Sequence, residues 1–326
     1  MISVAMTVFN GQKYLSEQLK SILMQTISAD EVILVDDCSS DNSVFIIKEF
    51  INENNLVNWK LIELFENSGY KKSFNRAIEE TNGDIIFLCD HDDIWLPKKI
   101  EIMSNVMKKT KGLLALNSSF IKVNHNNEII KEKKLPYYSN NNLIRKKIKN
   151  MDCVKIDSMM VSTYNISPGC TLAFKSDLKP SLKMLDYDET NLSHDWKINF
   201  IASLYNGLYY LNVETIRYRL HDSNTLGLKR VYMIKDRIGG CKESIKDRNY
   251  MLKIIDTLYN DESINNDFNV ISKHIKYLIY MYNKRINILL RKSSLRTLLN
   301  FFDYNIYKKR ILDSIFVDLI TILKSE

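Results

Sequence analysis

Along the first hundred residues, short unbroken apolar runs alternate with longer stretches in which apolar positions recur every three or four residues. "ISVAMTV" (2–8), "EVILVD" (31–36), "WKLIELF" (59–65) and "DIIFLC" (84–89) predict four strands. Between them the spacing is helical. Leu15, Leu19, Ile22 and Leu23 share one face, as do Val44, Ile47 and Ile51, and a third helix is predicted from Lys71 to Thr81. Ser39, Ser40 and Asp41 are capping residues ahead of the second helix, and Pro97 stands where the first turn of a fourth prefers it. Continuous apolar strands separated by helices predict an α/β fold, with a parallel sheet covered on both faces.

After "GLLALN" (112–117) the pattern weakens. Residues 125–160, rich in Asn and Lys, are predicted to be an insertion or mobile loop. "PGCTLAF" (168–174) returns to strand character, "HDWKINFIASLY" (194–205) is a predicted helix, and "GLYYLNV" and "TIRYRLH" complete the mixed region. Beyond Leu228 the pattern is helical. At 100° per residue, Ile275, Leu278, Ile279, Tyr282, Ile286, Leu289 and Leu290 fall within an arc of about 120°. Lys276, Lys284, Arg285, Arg291 and Lys292 lie opposite.

Composition adds a boundary. The chain has 326 residues, 46 Lys/Arg and 39 Asp/Glu, for a net charge of +7. Residues 1–227 hold 27 basic and 28 acidic residues; the remaining 19 and 11 (46 − 27 and 39 − 28) leave residues 228–326 at +8. Two regions meeting near Gly227 are expected, one large and one smaller and basic. No apolar run approaches the roughly 18 residues of a membrane span, and the opening "MISVAMTVFN" lacks a basic n-region. The five cysteines (38, 89, 153, 170 and 241) are odd in number and form no C-x-x-C pair. Reduced thiols and a cytoplasmic setting are expected, rather than a disulfide frame or a zinc site.

The candidate chemistry lies at strand ends, where parallel sheets bind ligands. Asp36 and Asp37 follow the second strand; Asp90, Asp92 and Asp93 follow the fourth, in "FLCDHDDIWLPKK" (87–99). An Asp-x-Asp suits a divalent cation held through hard oxygen ligands, and Mg²⁺ takes only one or two carboxylates, so Asp90 and Asp92 suffice. The plainer alternative is a solvated loop with Asp93 capping the next helix. Asp36 and Asp37 can accept hydrogen bonds from a ribose or a base N–H, or simply form a strand-to-helix turn. No G-x-G-x-x-G follows the first strand, which argues against a dehydrogenase.

Four segments, "SVAMTVFNGQKYLSEQLKSILMQT", "EVILVDDCSSDNS", "NSGYKKSFNRAI" and "DIIFLCDHDDIWLPKKI", resemble in order and spacing the N-terminal half of family 2 glycosyltransferases. These are inverting, sugar-nucleotide-dependent enzymes of the GT-A fold. "SPGCTLAF", "SHDWKINFIASLYNGLYYL" and "IRYRLHDSNTLG" look most like the bacterial rhamnosyltransferase branch that builds surface polysaccharides such as capsule and O-antigen. The resemblance covers residues 1–227, which it implies to be the catalytic domain, and leaves 228–326 as a basic helical extension.

It further implies that Thr7, Phe9 and Asn10 line a nucleotide pocket. Asp37, or Asp36, would bond the N3–H of a uracil or thymine ring, with Asn67 and Lys72 near the nucleotide and diphosphate. Asp90 and Asp92 would form the DXD metal motif for Mn²⁺ or Mg²⁺, completed by His221. Asp195 would be the catalytic base instead of a helix cap. The donor is implied to be a UDP- or dTDP-sugar, dTDP-rhamnose among them, and the acceptor a glycan or lipid-linked oligosaccharide. His91 departs from the family, where Gln or Thr is frequent, and an ordinary loop histidine is expected there.

Two rivals are weaker. A nucleotidyltransferase would show a Gly-rich phosphate loop where "TVFNGQKYL" stands, and a non-catalytic carbohydrate-binding or scaffold protein would not keep all the expected acids. From 273 to 310 there are ten Lys/Arg and one acid, Asp303. Such a stretch can pack on the catalytic domain or a second subunit, or lie peripherally on an anionic membrane. The acidic sheet edge and the lack of a recognised motif exclude nucleic acid as the expected partner.

Overall fold

A computed structural model describes residues 1–185, 192–221, 234–259 and 268–291. It divides into two compact units, Met1–Gly227 with Thr257–Asp267, and Leu228–Asp256 with Phe268–Glu326.

The first unit opens with the expected alternation. Strands β1 (Ile2–Val8), β2 (Glu31–Asp36), β3 (Trp59–Glu63) and β4 (Ile85–Asp90) are separated by helices α1 (Leu15–Leu23), α2 (Ser43–Glu53) and α3 (Tyr70–Glu80). The strands lie parallel in the order β3-β2-β1-β4. Every residue of β1 and β2 is buried, which their unbroken apolar character demands. Leu15, Leu19 and Ile22 of α1 belong to the same buried core as Val4, Met6 and Phe87. Thr7 pairs with both Val35 and Asp90, so β1, β2 and β4 end level with one another.

The second half of the sheet mixes parallel and antiparallel pairs. Strand β5 (Ile94–Trp95) is a two-residue edge before helix α4 (Lys99–Lys109), and the nine-residue β6 spans Ala115–Val123. β7 (Cys153–Lys155) and helix α5 (Ser158–Thr163) lie within the stretch expected to be a loop. β8 (Leu172–Lys175) runs antiparallel to both β4 and β6. Helices α6 (Lys179–Lys183) and α7 (His194–Leu204) precede β9 (Leu208–Arg219), which pairs parallel with β6 and antiparallel with β5 and β7.

β6 escapes an apolar-pattern search because its buried centre is polar. Asn117, Ser118 and Ser119 are satisfied by side-chain partners rather than excluded from the core; Ser118 and Thr215 hydroxyls lie 2.6 Å apart. The two apolar runs on either side of Glu214 are one strand, β9, whose register against β6 shifts at Ser118–Phe120. Helix α5 announces itself only by its cap: Asp157 Oδ1 accepts from Met160 N at 2.8 Å.

In the second unit, α8 (Ile234–Leu258) and α9 (Phe268–Arg291) are the described elements. Along α9 Ile271, Ile275 and Leu278 are buried while Lys273 and Lys276 are exposed, as the stripe predicts; Leu290, assigned to that stripe, is 64% exposed. The Arg248 guanidinium of α8 lies 5.5 Å from the Tyr282 ring centre of α9. The rest of the basic run, 292–310, lies outside the described residues. Among the described residues, no helix is long and apolar enough to cross a membrane.

Gly83, entering β4, donates its N–H to Ser3 Oγ at 2.8 Å, and a Cβ there would come within 2.8 Å of Ser3 N. Gly83→Ala is therefore expected to destabilise the sheet by about 1–3 kcal/mol. Urea unfolding should show a lower midpoint with an unchanged slope.

Candidate active site

The level ends of β1, β2 and β4 open into a cavity of about 990 Å³. On one wall the chain leaves β2 through a sharp turn in which Cys38 takes φ +61°. That left-handed conformation costs a non-glycine residue about 1–2 kcal/mol. The two carboxylates that precede it have different partners. Asp37 lines the cavity, whereas Asp36 is buried and accepts from Ser39 N at 2.9 Å. Asp37 Oδ1 accepts from Ser68 N (2.7 Å) and Ser68 Oγ (3.0 Å), and Oδ2 from Gly69 N (2.9 Å). A carboxylate has about four acceptor positions, so one on Oδ2 stays open.

Thr7, Phe9, Asn10 and Asn67 line the same cavity. Asn10, at φ +48°, uses Oδ1 to accept from Ser40 N at 2.9 Å, tying the β1 loop to the β2 loop. Lys72 is exposed and is not part of the lining. The preceding residue, Lys71, is the cation whose charge reaches the site, where it acts on His194.

The fourth strand delivers the acid knot. Asp90, His91 and Asp92 line the cavity, and Asp93 is fully buried behind them. Asp93 is not a helix cap: it accepts from Arg219 N at 2.9 Å, and α4 begins after Lys98 without a side-chain cap. Burial first, and then the charges of Asp92, Asp93 and Asp195, push the Asp90 carboxyl far above its usual range. Burial and Asp92 likewise raise Asp93 to about 7. For Asp92, burial opposes ionisation, but the His221 hydrogen bond and the charges of His91 and His221 outweigh it and hold the carboxyl low. His221 Nε2 lies 2.9 Å from Asp92 Oδ2, and its ring packs 4.9 Å from that of Tyr14.

His91 lies against Gly11, where a Cβ would meet its ring at 2.6 Å. Its charge acts on both Asp41 and Asp92, so it occupies a place between two acidic loops.

Beneath the knot are cations whose position the sequence does not announce. Lys99 is fully buried, donates to Cys170 O at 2.5 Å and sits 4.5 Å from the Trp95 ring centre. Arg219 is buried too, donating from Nε to Asp92 O (2.9 Å) and from a terminal nitrogen to Glu17 Oε2 (2.5 Å). Asp90, Asp93 and Cys170 place ligand atoms within 4.8 Å of one another, but Lys99 already serves that inner side and burial keeps Cys170 a thiol. The cavity side, Asp90 with Asp92, is where hard oxygen donors have acidic charge in excess, and it suits a divalent cation.

The opposite wall comes from α7. Asp195 is buried in the first turn and lines the cavity; the helix cap position is Ser193, without a side-chain cap. Asn165 Nδ2 donates to Asp195 Oδ2 at 2.8 Å. Behind it Asn199 Nδ2 donates to Asn165 Oδ1 (3.4 Å), and Asn117 Nδ2 to Asn199 Oδ1 (2.7 Å). A series of three amides, the inner two fully buried on β6 and α7, thus ends on this carboxylate. Next to it His194 stacks on Phe74 with ring centres 3.8 Å apart. Burial lowers His194 to about 4, Lys71 adding to the effect and Asp195 opposing it.

A mixed sheet whose parallel half ends in a DXD motif, faced by an aspartate on a following helix, defines a GT-A fold. Comparison with solved structures agrees. S. aureus TarS 1–349 in complex with UDP-GlcNAc superposes with a TM-score of 0.57 at 16% identity, covering 99% of this chain and 90% of that one. Mannosyltransferase PcManGT from Pyrobaculum calidifontis, in complex with GDP-Man and Mn²⁺, gives 0.53 at 16% identity, covering 99% and 86%. The family model for glycosyl transferase family 2 matches residues 3–164. The chain belongs to that family. Its relatives include the dTDP-rhamnosyl transferase RfbG of Shigella flexneri, 26% identical over 80% of this chain and 87% of the relative. An uncharacterized glycosyltransferase of Rickettsia typhi is also 26% identical, over 69% of this chain and 65% of its own length.

The depressed His194 gives a pH test. Its folded value, about 4, lies below the unfolded 6.5, so its stabilisation is complete above pH 6.5 and is lost as pH falls towards 4. The loss is on the order of 3 kcal/mol. Asp93, raised to about 7, acts in the opposite sense over the same range. The difference between wild type and His194→Gln in urea unfolding at pH 4 to 7 isolates the histidine, and it should grow with pH.

Proposed function

We propose that this chain transfers a sugar, with inversion, from a UDP- or dTDP-sugar to a hydroxyl of a glycan or lipid-linked acceptor in bacterial surface polysaccharide synthesis. The observation that carries the proposal is the convergence, on one cavity, of Asp37, Asp90, Asp92 and Asp195 from two strand ends and a helix. Family membership and the RfbG likeness support it, and they favour a dTDP-linked deoxyhexose among donors. Residues 1–227 would carry the reaction. The basic face of α9 in the second unit would suit an anionic membrane surface bearing a lipid-linked acceptor.

In this scheme the nucleoside lies against Phe9 and Asn67, and the open position on Asp37 Oδ2 accepts the pyrimidine N3–H. Asp90 and Asp92 would hold Mn²⁺ or Mg²⁺, with His221 orienting Asp92 through their 2.9 Å contact. That cation, when bound, offsets charge on the departing diphosphate as a Lewis acid. Asn165 occupies Asp195 Oδ2, leaving Oδ1 to take the acceptor hydroxyl proton. The hydroxyl oxygen bonds the anomeric carbon as the bond to the β-phosphate oxygen breaks, and the nucleoside diphosphate keeps the electron pair. The proton rests on Asp195.

A screen of UDP- and dTDP-sugars for nucleoside diphosphate release, with and without Mn²⁺ or Mg²⁺, is the direct test. Asp92→Ala should abolish metal-dependent turnover. Asp195→Asn should lower kcat by about 10²–10⁴ with donor KM little changed. Undiminished turnover in Asp195→Asn would remove the base assignment, and release independent of metal would remove the cation site.

A further inference from the structure

Strand β3 is an edge of the sheet: β2 pairs with one side of it, and among the described residues no strand pairs with the other. In a parallel pair, alternate residues direct their backbone groups to the neighbour and the residues between direct theirs away. Val32 N donates to Asn58 O (3.1 Å) and Leu64 N to Asp36 O (2.9 Å), so the even-numbered residues from 58 to 64 serve β2. The outward set is Trp59, Leu61 and Glu63, centred on Leu61. Trp59 N is taken by Leu56 O at 3.1 Å, which leaves Trp59 C=O and both groups of Leu61 and Glu63 directed outward.

Just beyond the two ends of the strand stand exposed apolar side chains, Val57 at 100% and Phe65 at 103%. They are equally far along the chain from Leu61. The charges of the strand are neutralised within the chain: Glu63 pairs with Lys48 of α2 at 2.7 Å, and Lys60 with Glu80 of α3 at 2.6 Å. The edge therefore lacks the unpaired lysine that commonly blocks strand addition.

We propose that β3 is a self-association surface, on which a second copy of this chain adds its own β3 antiparallel about a twofold axis at Leu61. Leu61 of each copy then exchanges both backbone bonds with the partner's Leu61, and Glu63 N–H donates to the partner's Trp59 O. Odd-numbered residues face α2, as the Trp59 ring 5.7 Å from that of Phe50 and the Glu63–Lys48 pair show, so like faces meet across the axis. The start of one strand lies against the end of the other, and Val57 meets the partner's Phe65 on both sides of the axis. A slip of one residue mismatches the backbone groups, and a slip of two separates Val57 from Phe65. The backbone set and the apolar pair are independent observations that share one centre. A twofold partner requires that coincidence; a lipid surface or an unrelated extended peptide does not. The chain beyond Phe65 leads directly to Asn67, Ser68 and Gly69, so the interface borders the loop that holds Asp37.

Sedimentation velocity of the full chain, with wild type passing from the 38.2 kDa monomer to twice that mass between about 1 and 100 μM, is the expected result. Val57→Asp and Phe65→Lys, at positions that pack on nothing, should leave thermal unfolding unchanged and each raise the dimer Kd about tenfold or more. The double variant Val57→Asp/Phe65→Lys should recover most of the association, because each new carboxylate then meets an ammonium of the other copy. Within one chain the two lie on the order of 25 Å apart and do not meet. The recovery should fade in about 1 M salt. Wild type that stays monomeric to about 100 μM overturns the proposal and leaves the edge to a partner of another kind. A dimer that neither single variant weakens overturns it too, as does a double variant that associates no better than the single ones.

Discussion

The organising constraint is the burial of charge at the end of β4. An apolar strand delivers three carboxylates within four residues; Asp93 is fully buried, and Asp90 and Asp92 are half-buried at the cavity. Lys99 from below and Arg219 from the side are buried with them, and the backbone of Arg219 satisfies Asp93. Removing one member of such a group leaves an uncompensated buried charge, which is far costlier than never having built it. Compensation is incomplete on the cavity side, where Asp90 meets Asp92 and Asp195. The knot is therefore anchored on one side and receptive to a cation on the other.

That division of labour explains the geometry around it. Arg219 joins α1 through Glu17, the acid loop through Asp92 O and the end of β9. One side chain thus fixes the three segments that surround Asp92. His221, two residues beyond, arrives against Asp92 because β9 runs the length of the sheet beside β5 and β6. On the opposite wall the Asn117–Asn199–Asn165 series holds Asp195. Behind the loop residues Asn165 and His221, both acidic centres are anchored to β6, β9, α1 and α7 through Asn117, Arg219, Glu17 and Asn199, the kind of support that holds a side chain in place.

The two walls differ in character, and the difference suits a sugar-nucleotide donor. Asp37, capped by Ser68 and Gly69, and the exposed Phe9 offer a flat, hydrogen-bonding site. Asp90 ends β4, on the other side of β1, Asp92 follows in the next turn, and Asp195 comes from α7 on the opposite wall. In the proposed scheme, base recognition, diphosphate neutralisation and proton removal would follow one another along the ligand.

Local sequence was enough for the first four strands, their helices and the place where acids gather, since unbroken apolar runs and helical spacing are properties of neighbouring residues. The family motifs carried Asp90, Asp92, Asp195 and His221 as candidates. Local pattern failed at β6, whose buried Asn and Ser read as loop because their partners, Asn199 and Thr215, are more than eighty residues away. It failed again at Asp93, which resembles a cap until Arg219 reaches it across 126 positions. Lys99 and His194 look like surface residues in sequence, and Lys71 cannot be told from Lys72. Of two adjacent acids, Asp36 turns back to Ser39 N while Asp37 faces the cavity, as neighbouring side chains of an extended chain point to opposite sides. Sequence alone determined which elements form and where the charge gathers, because those depend on short-range periodicity. Tertiary structure decided which charges are neutralised and which stay available, because that depends on partners brought together only when the sheet closes.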